Sequence, residues 1–298
     1  MIGVLLMAYG GPRSLEEVEP YLTDVRGGRP TPPALLEEVR ERYRLIGGAS
    51  PLLPWTERVA SRLQDRLGPA FQVMIGMRHW HPYIAETLAG ASVERFYAIP
   101  MSPYYSRMSV GAYAEKVAVA NVPVRLARSW HLEPSLIEAF AQRVRDAEGD
   151  VLFTAHSLPA RILQEGDPYP RQLLETARAV AEKAGVLRWH FAYQSPGRTG
   201  ETWLSPFAEE TLDRLHAEGR DRVLVVPVGF LCDHVEILYD LDIALQQHAR
   251  GLGMTLSRTE SLNDSPLLID ALASVVAQMR GAAGAASLED LLTNSSTP

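Results

Sequence analysis

The chain has 298 residues, 46% apolar and 22% charged, with a formal charge of −7. This is globular composition, sized for two medium domains or one large one, and it lacks the basic footprint of a nucleic-acid binder. The single cysteine, Cys232, excludes a disulfide framework, a four-cysteine zinc site and an iron–sulfur cluster held by this chain alone, and it fits a cytosolic protein. No run approaches the roughly 18 apolar residues of a membrane span. The opening MIGVLLMAYGGP has no basic leader and reads as a first strand, not as a signal peptide.

In chain order, Ile2 to Ala8 is an apolar strand closed by Tyr9-Gly10-Gly11-Pro12. Ser14 with Glu17 three residues on predicts a capping box opening a helix. The Arg26-to-Pro33 stretch is a loop, and helices are expected over Ala34–Ile46 and Trp55–Leu67. A strand (Phe71–Met77), a helix (Pro82–Ala89) and a strand (Arg95–Pro100) follow. A Ser/Tyr/Arg loop then leads to a helix near Ser109, a strand over Val122–Ala127 and a connecting helix over His131–Ala147. The order then restarts: strands at Val151–Thr154, Arg188–Tyr193, Val223–Val228 and Met254–Ser257 alternate with helices at Leu173–Ala184 and Pro206–Glu218. Another helix is expected from Asp233 as N-cap, and a last one over Pro266–Met279.

Strands alternating with helices imply parallel sheets. The repeat predicts an α/β protein of two similar Rossmann-like domains, 1–130 and 131–280, with a cleft lined by strand-end loops and a mobile tail over 281–298. The last helix could pack back on the first domain.

The stretch VLVVPVGFLCDHVEILYDLD (223–242) places carboxylates just beyond a strand end, where open α/β sheets bind ligands. Glu236 and Asp240 are four apart and share a helix face; a solvated acidic face is the plainer alternative. His156 also ends a strand. A lone histidine is more often structural, but one imidazole plus one carboxylate in the same half makes a weak site for a divalent transition metal such as ferrous iron. His234 and Glu236 lie about 200° apart on a regular helix and converge only if the helix start is irregular, so His234 reads as structural. His79 and His81 share a face if their strand continues; polar loop residues are the alternative. Tyr9 precedes glycines that let backbone approach a ligand. Arg26, Arg29, Arg42 and Arg44 suit a substrate with several carboxylates, or are surface arginines. Nucleotide-binding glycine motifs are absent.

The segments MAYGGP, RYRLIGGASPL, TAHSLP, GDPYP, YQSPGRTGETWLSP and VPVGFLCDHVEILYDLD, in this order and spacing, resemble the ferrochelatase family from near residue 2 to about 280. The resemblance implies two Rossmann-like domains with a porphyrin cleft between them, and insertion of ferrous iron into a porphyrin. It implies His156 and Glu236 as the catalytic pair that handles metal and protons, with Asp240 extending the acidic line. Where the family often continues that line with a glutamate, this chain has Ala244.

Tyr9 in MAYG is most similar to the coproporphyrin III ferrochelatases of Gram-positive-type bacteria, in which it is an axial ligand to product iron. Propionate contacts then fall on Arg26, Arg42, Tyr43, Ser50, Ser109 and Tyr113. Gly27 and Arg78 depart from relatives that carry arginine and lysine there. The resemblance implies no permanently bound cofactor and no iron–sulfur cluster, with Fe2+ and coproporphyrin III (or protoporphyrin IX) as substrates. It implies a cytoplasmic monomer, and a transient partner in haem biosynthesis taking the product. The alternatives are a protoporphyrin IX ferrochelatase, a cobalt or nickel chelatase of related fold, and a non-catalytic haem or porphyrin carrier.

Overall fold

A computed structural model describes residues 1–120, 123–197 and 200–281, and the backbone of residues 286–287. Arg198 and Thr199 of the YQSPGRTGETWLSP segment lie outside the described residues, as does the rest of the tail expected to be mobile. The chain divides into two compact units: residues 1–130 with the segment from 263 onward, and residues 131–262.

The first unit is built on β1 (Ile2–Ala8), β2 (Phe71–Met77), β3 (Arg95–Pro100) and β4 (Val124–Leu126), parallel in the order β2-β1-β3-β4. Residues 286–287 add a short antiparallel edge to β4. β1 is central, and Val4 to Met7 are fully buried. That is why it reads as a continuous apolar run and not as an alternating one. Around the sheet lie α1 (Val18–Val25), α2 (Pro33–Leu45), α3 (Leu52–Leu67), α4 (Ile84–Gly90) and α5 (Ala112–Val117). The last helix of this unit, which is also the last in the chain, spans Pro266–Arg280 and packs on α3. Leu268, Leu272, Val276 and Met279 recur at helical spacing on its buried face.

The second unit has β5 (Asp150–His156), β6 (Trp189–Gln194), β7 (Arg222–Val226) and β8 (Thr255–Arg258), parallel in the order β6-β5-β7-β8. Helices α6 (Pro134–Val144) and α7 (Tyr169–Ala184) pack on each other, and α8 (Ala208–Ala217) flanks β6. After β7 come α9 (Val235–Leu238), a wide π-turn segment (Asp240–Leu245) and α10 (Gln246–Gly251). Ile237, Leu241, Leu245 and Ala249 join one apolar cluster with Leu152, Val223 and Val225 of the sheet. The α/β class expected from the alternating pattern is the one observed.

Three local expectations are corrected. Ser14 and Glu17 form no capping box. Glu17 is itself the residue before α1, and its carboxylate accepts from the Arg13 backbone and from Trp80 Nε1. Asp233 is not an N-cap: α9 starts at Val235 after an extended His234, and Asp233 Oδ1 accepts instead from Ser261 Oγ at 2.6 Å. His79 and His81 share no strand face. β2 ends at Met77, and each ring donates to a different carboxylate, Asp24 and Glu86.

Candidate functional site

Both sheets reverse strand order beside their first strand, between β1 and β3 and between β5 and β7. In such sheets ligands bind at the carboxyl ends of the strands flanking that switch point. Tyr9 follows β1; His156 ends β5, and Glu236 follows β7.

In the second unit, backbone contacts set His156. Tyr169 Oη donates to its carbonyl at 3.0 Å, and Ser157 N donates to Gln194 O at 2.8 Å. The loop after β7 comes close because Gly229 has no side chain: a Cβ there would meet Ala155 Cβ at 2.5 Å. This approach brings His156 Nδ1 to 3.0 Å from Glu236 Oε2. The contact is an ion pair outside hydrogen-bond alignment, with Nδ1 itself sealed from solvent. The two side chains as a whole keep 32% and 30% of their surface exposed.

Burial works against charge on both groups, but each stabilises the other. The His156 imidazole is pushed above its ordinary value by Glu236 and, further off, by Asp240. Glu236 is held well below the usual carboxylate range by His156 and His234. Each charge therefore favours the other.

His234 lies nearer than regular helix geometry allows. Its extended backbone (φ −162°) precedes α9, its Nδ1 donates to Cys232 O at 2.9 Å, and its Nε2 is 3.9 Å from Glu236 Oε2. Asp240 accepts from Ser195 Oγ, and Gln194 Nε2 donates to Glu236 O at 2.8 Å. Ser195 has φ 55°, a positive φ that is uncommon for a residue other than glycine. Gln194 and Ser195, part of the YQSPGRTGETWLSP segment, join the site through these contacts; as single residues they read only as a polar pair at a strand end. Among the described residues no group of three or more His, Cys, Asp or Glu side chains is arranged to hold a metal ion.

In the first unit Tyr9 is 42% exposed. Its ring lies 4.6 Å from that of His79, and the Arg78 guanidinium is 5.9 Å from its centre. His79 is held by Asp24 at 2.8 Å, which also accepts from Tyr83 Oη at 3.2 Å. Burial pushes the Tyr83 hydroxyl up to about 12, helped by Asp24.

Arg78 Nη1 donates to Met108 O at 3.0 Å, tying this loop to the π-turn Arg107–Gly111, which carries Ser109. Tyr113 is buried; burial raises its hydroxyl, Arg78 lowers it and Tyr9 raises it. Ser50 sits against Gly11, where a Cβ would meet its Oγ at 2.6 Å, with Tyr43 Oη 3.9 Å away. Ser50 and Tyr43 are also buried. Arg26 follows α1, and its buried Nε has no hydrogen-bond partner among the described residues. Arg42 donates to Glu38 at 2.8 Å. A cavity of about 640 Å3 opens in this unit beside Asp24, Gly27, Arg78, His79, Tyr83 and Lys116.

Residues 1–280 match the family model "Ferrochelatase". A ferrochelatase of Deinococcus radiodurans is 44% identical, over 92% of this chain and 95% of that protein. A coproporphyrin III ferrochelatase of Geobacillus kaustophilus is 38% identical, over 92% and 94%. Among solved structures, SirB from Bacillus subtilis with Fe3+ superposes with a TM-score of 0.58 at 12% identity, covering 94% of this chain and 98% of that one. This likeness shows a chelatase-type fold. No described helix is long and apolar enough to cross a membrane.

Proposed function

The chain belongs to the ferrochelatase family, and from that premise we propose that it inserts ferrous iron into coproporphyrin III, with His156 and Glu236 as the catalytic pair. The observation that carries the reading is the 3.0 Å approach of His156 Nδ1, at the end of β5, and Glu236 Oε2, on the helix that follows the adjacent strand β7. Insertion replaces two pyrrole protons by one Fe2+. The site must therefore hold a divalent cation loosely and accept protons, and one imidazole with one carboxylate does both. A site that favours a bent macrocycle lowers the barrier, because a flat ring hides its nitrogen lone pairs. Glu236 stays ionised and attracts the metal. His156, once its own proton has left, accepts the pyrrole protons in turn, and Asp240, four residues after Glu236, leads them outward.

On the other unit Tyr9 serves as a ligand to inserted iron, a role tyrosine fills in haem proteins. Arg26, Arg42, Tyr43, Ser50, Ser109 and Tyr113 receive propionates. The half-exposed Tyr9 and the resemblance to the Geobacillus enzyme support coproporphyrin III. Relatives named only ferrochelatase, such as the Deinococcus protein, favour keeping protoporphyrin IX as a second reading. No resident cofactor is part of the proposal, and neither is a partner beyond the acceptor of the product.

The test is anaerobic insertion of ferrous iron with coproporphyrin III and protoporphyrin IX side by side. Higher kcat/KM for coproporphyrin III is expected. Preference for protoporphyrin IX overturns the subclass. Tight porphyrin binding without insertion of any divalent metal makes the protein a carrier.

A further inference from the structure

The acidic stretch of the second unit holds four carboxylates within ten residues: Asp233, Glu236, Asp240 and Asp242. A regular helix would set Asp233, Glu236 and Asp240 within about 60° of one another and Asp242 on the opposite side. Here the segment Asp240–Leu245 widens to i→i−5 bonding, with Ala244 N donating to Tyr239 O at 2.9 Å. Such π-turns cost helix geometry and persist where neighbouring contacts hold them. Leu241 and Leu245 anchor one side in the apolar cluster.

The polar anchor is Arg258 at the end of β8. Its Nε donates to Asp242 Oδ1 at 2.7 Å and its Nη2 to Asp242 Oδ2 at 2.8 Å, a two-point fork. Its Nη1 donates to Thr259 O at 2.8 Å and lies 3.7 Å from Asp233 Oδ1, which also accepts from Ser261. The Arg258 side chain is only 15% exposed. One guanidinium thus engages two of the four carboxylates, Asp233 and Asp242. The other two, Glu236 and Asp240, act on His156.

We propose that Arg258 is a positioning residue: its fork on Asp242 fixes the rotation of the widened segment, and with it Asp240 and the preceding turn of α9 that sets Glu236 against His156. This rests on the proposed iron-inserting role of that pair.

Arg258→Lys keeps the charge and loses the fork, and Asp242→Asn loses the charge at the other end. Arg220→Lys, whose partner Asp150 lies at the opposite end of β5, controls for general loosening of the unit. Anaerobic iron insertion is measured per porphyrin-binding molecule, counted by fluorescence quenching. Arg258→Lys should lower kcat about tenfold with porphyrin KM within about twofold, since a small misplacement of catalytic groups costs rate before binding. Asp242→Asn should shift kcat the same way by less, and decides the question if Arg258→Lys does not fold. Unchanged kcat in the folded variants, or an equal loss in Arg220→Lys, overturns the inference while leaving the iron-inserting reading intact. No insertion by the unsubstituted protein overturns both.

Discussion

At the scale of single residues the account rests on two groups whose charges stabilise each other. His156→Ala and Glu236→Gln should each cut insertion by about 10²-fold or more, the range lost with a general acid–base group, while porphyrin binding stays measurable by fluorescence quenching. The pH dependence has a defined sign. Burial opposes both charges, but Glu236 and Asp240 raise His156 above 6.5, and His156 and His234 lower Glu236 below 4.5. The stabilising contribution of His156 is complete below 6.5 and is lost as pH rises through its raised value. That of Glu236 is complete above 4.5 and is lost as pH falls through its lowered value. The melting-temperature gap between the unsubstituted protein and Glu236→Gln should therefore be widest between the two ordinary values.

Insertion has a different requirement, because an imidazolium can neither accept a proton nor bind metal. The rate should climb as pH rises through the raised His156 pKa, and Asp240→Asn should move that climb to lower pH. In the sequence, His156 and Glu236 were visible as polar residues at the ends of apolar runs. The approach of His234 was not, since it depends on one extended residue ahead of a four-residue helix. Arg258 carried no signal either: a buried arginine fork is invisible until β8 and the π-turn are side by side.

At the scale of elements, the strands were legible because β1 and β5 are buried along almost their whole length, β7 over most of it, and their interiors read as mainly apolar runs. Helix interiors were legible from apolar spacing, as in α3, where Thr56, Val59 and Leu63 face inward. Helix starts were not. Ser14–Glu17 and Asp233 carry the right residue types, but tertiary partners, Trp80 and Ser261, claim the carboxylates of Glu17 and Asp233. The π-turn was also illegible, because its side-chain pattern does not differ from that of the α-helix predicted there. Close approach of β7's loop to β5 predicts that Gly229→Ala is costly. A Cβ 2.5 Å from Ala155 Cβ must push backbone apart, at about 1–3 kcal/mol for an overpacked site. Because the push displaces the loop leading to Glu236, urea unfolding and insertion rate should both register it. A change in stability alone would argue against this loop setting the pair.

At the scale of the whole molecule, the family match spans residues 1–280 and so includes both sheets. The final helix belongs with the first sheet, although it follows the second in sequence. It buries Leu272 completely against its unit, and Arg66 pairs with Asp270 at its exposed edge. Leu272→Ala should cost about 2–5 kcal/mol of unfolding free energy, as core truncations do, with kcat for insertion unchanged below the melting transition. Loss of the edge pair in Asp270→Asn should cost under about 1 kcal/mol. The most direct measurement for the account is single-turnover insertion of ferrous iron into bound coproporphyrin III under anaerobic conditions, comparing the unsubstituted protein with Glu236→Gln. The account predicts rapid conversion to the iron porphyrin in the first and near-absence of it in the second at equal porphyrin occupancy. Equal rates in the two would contradict it.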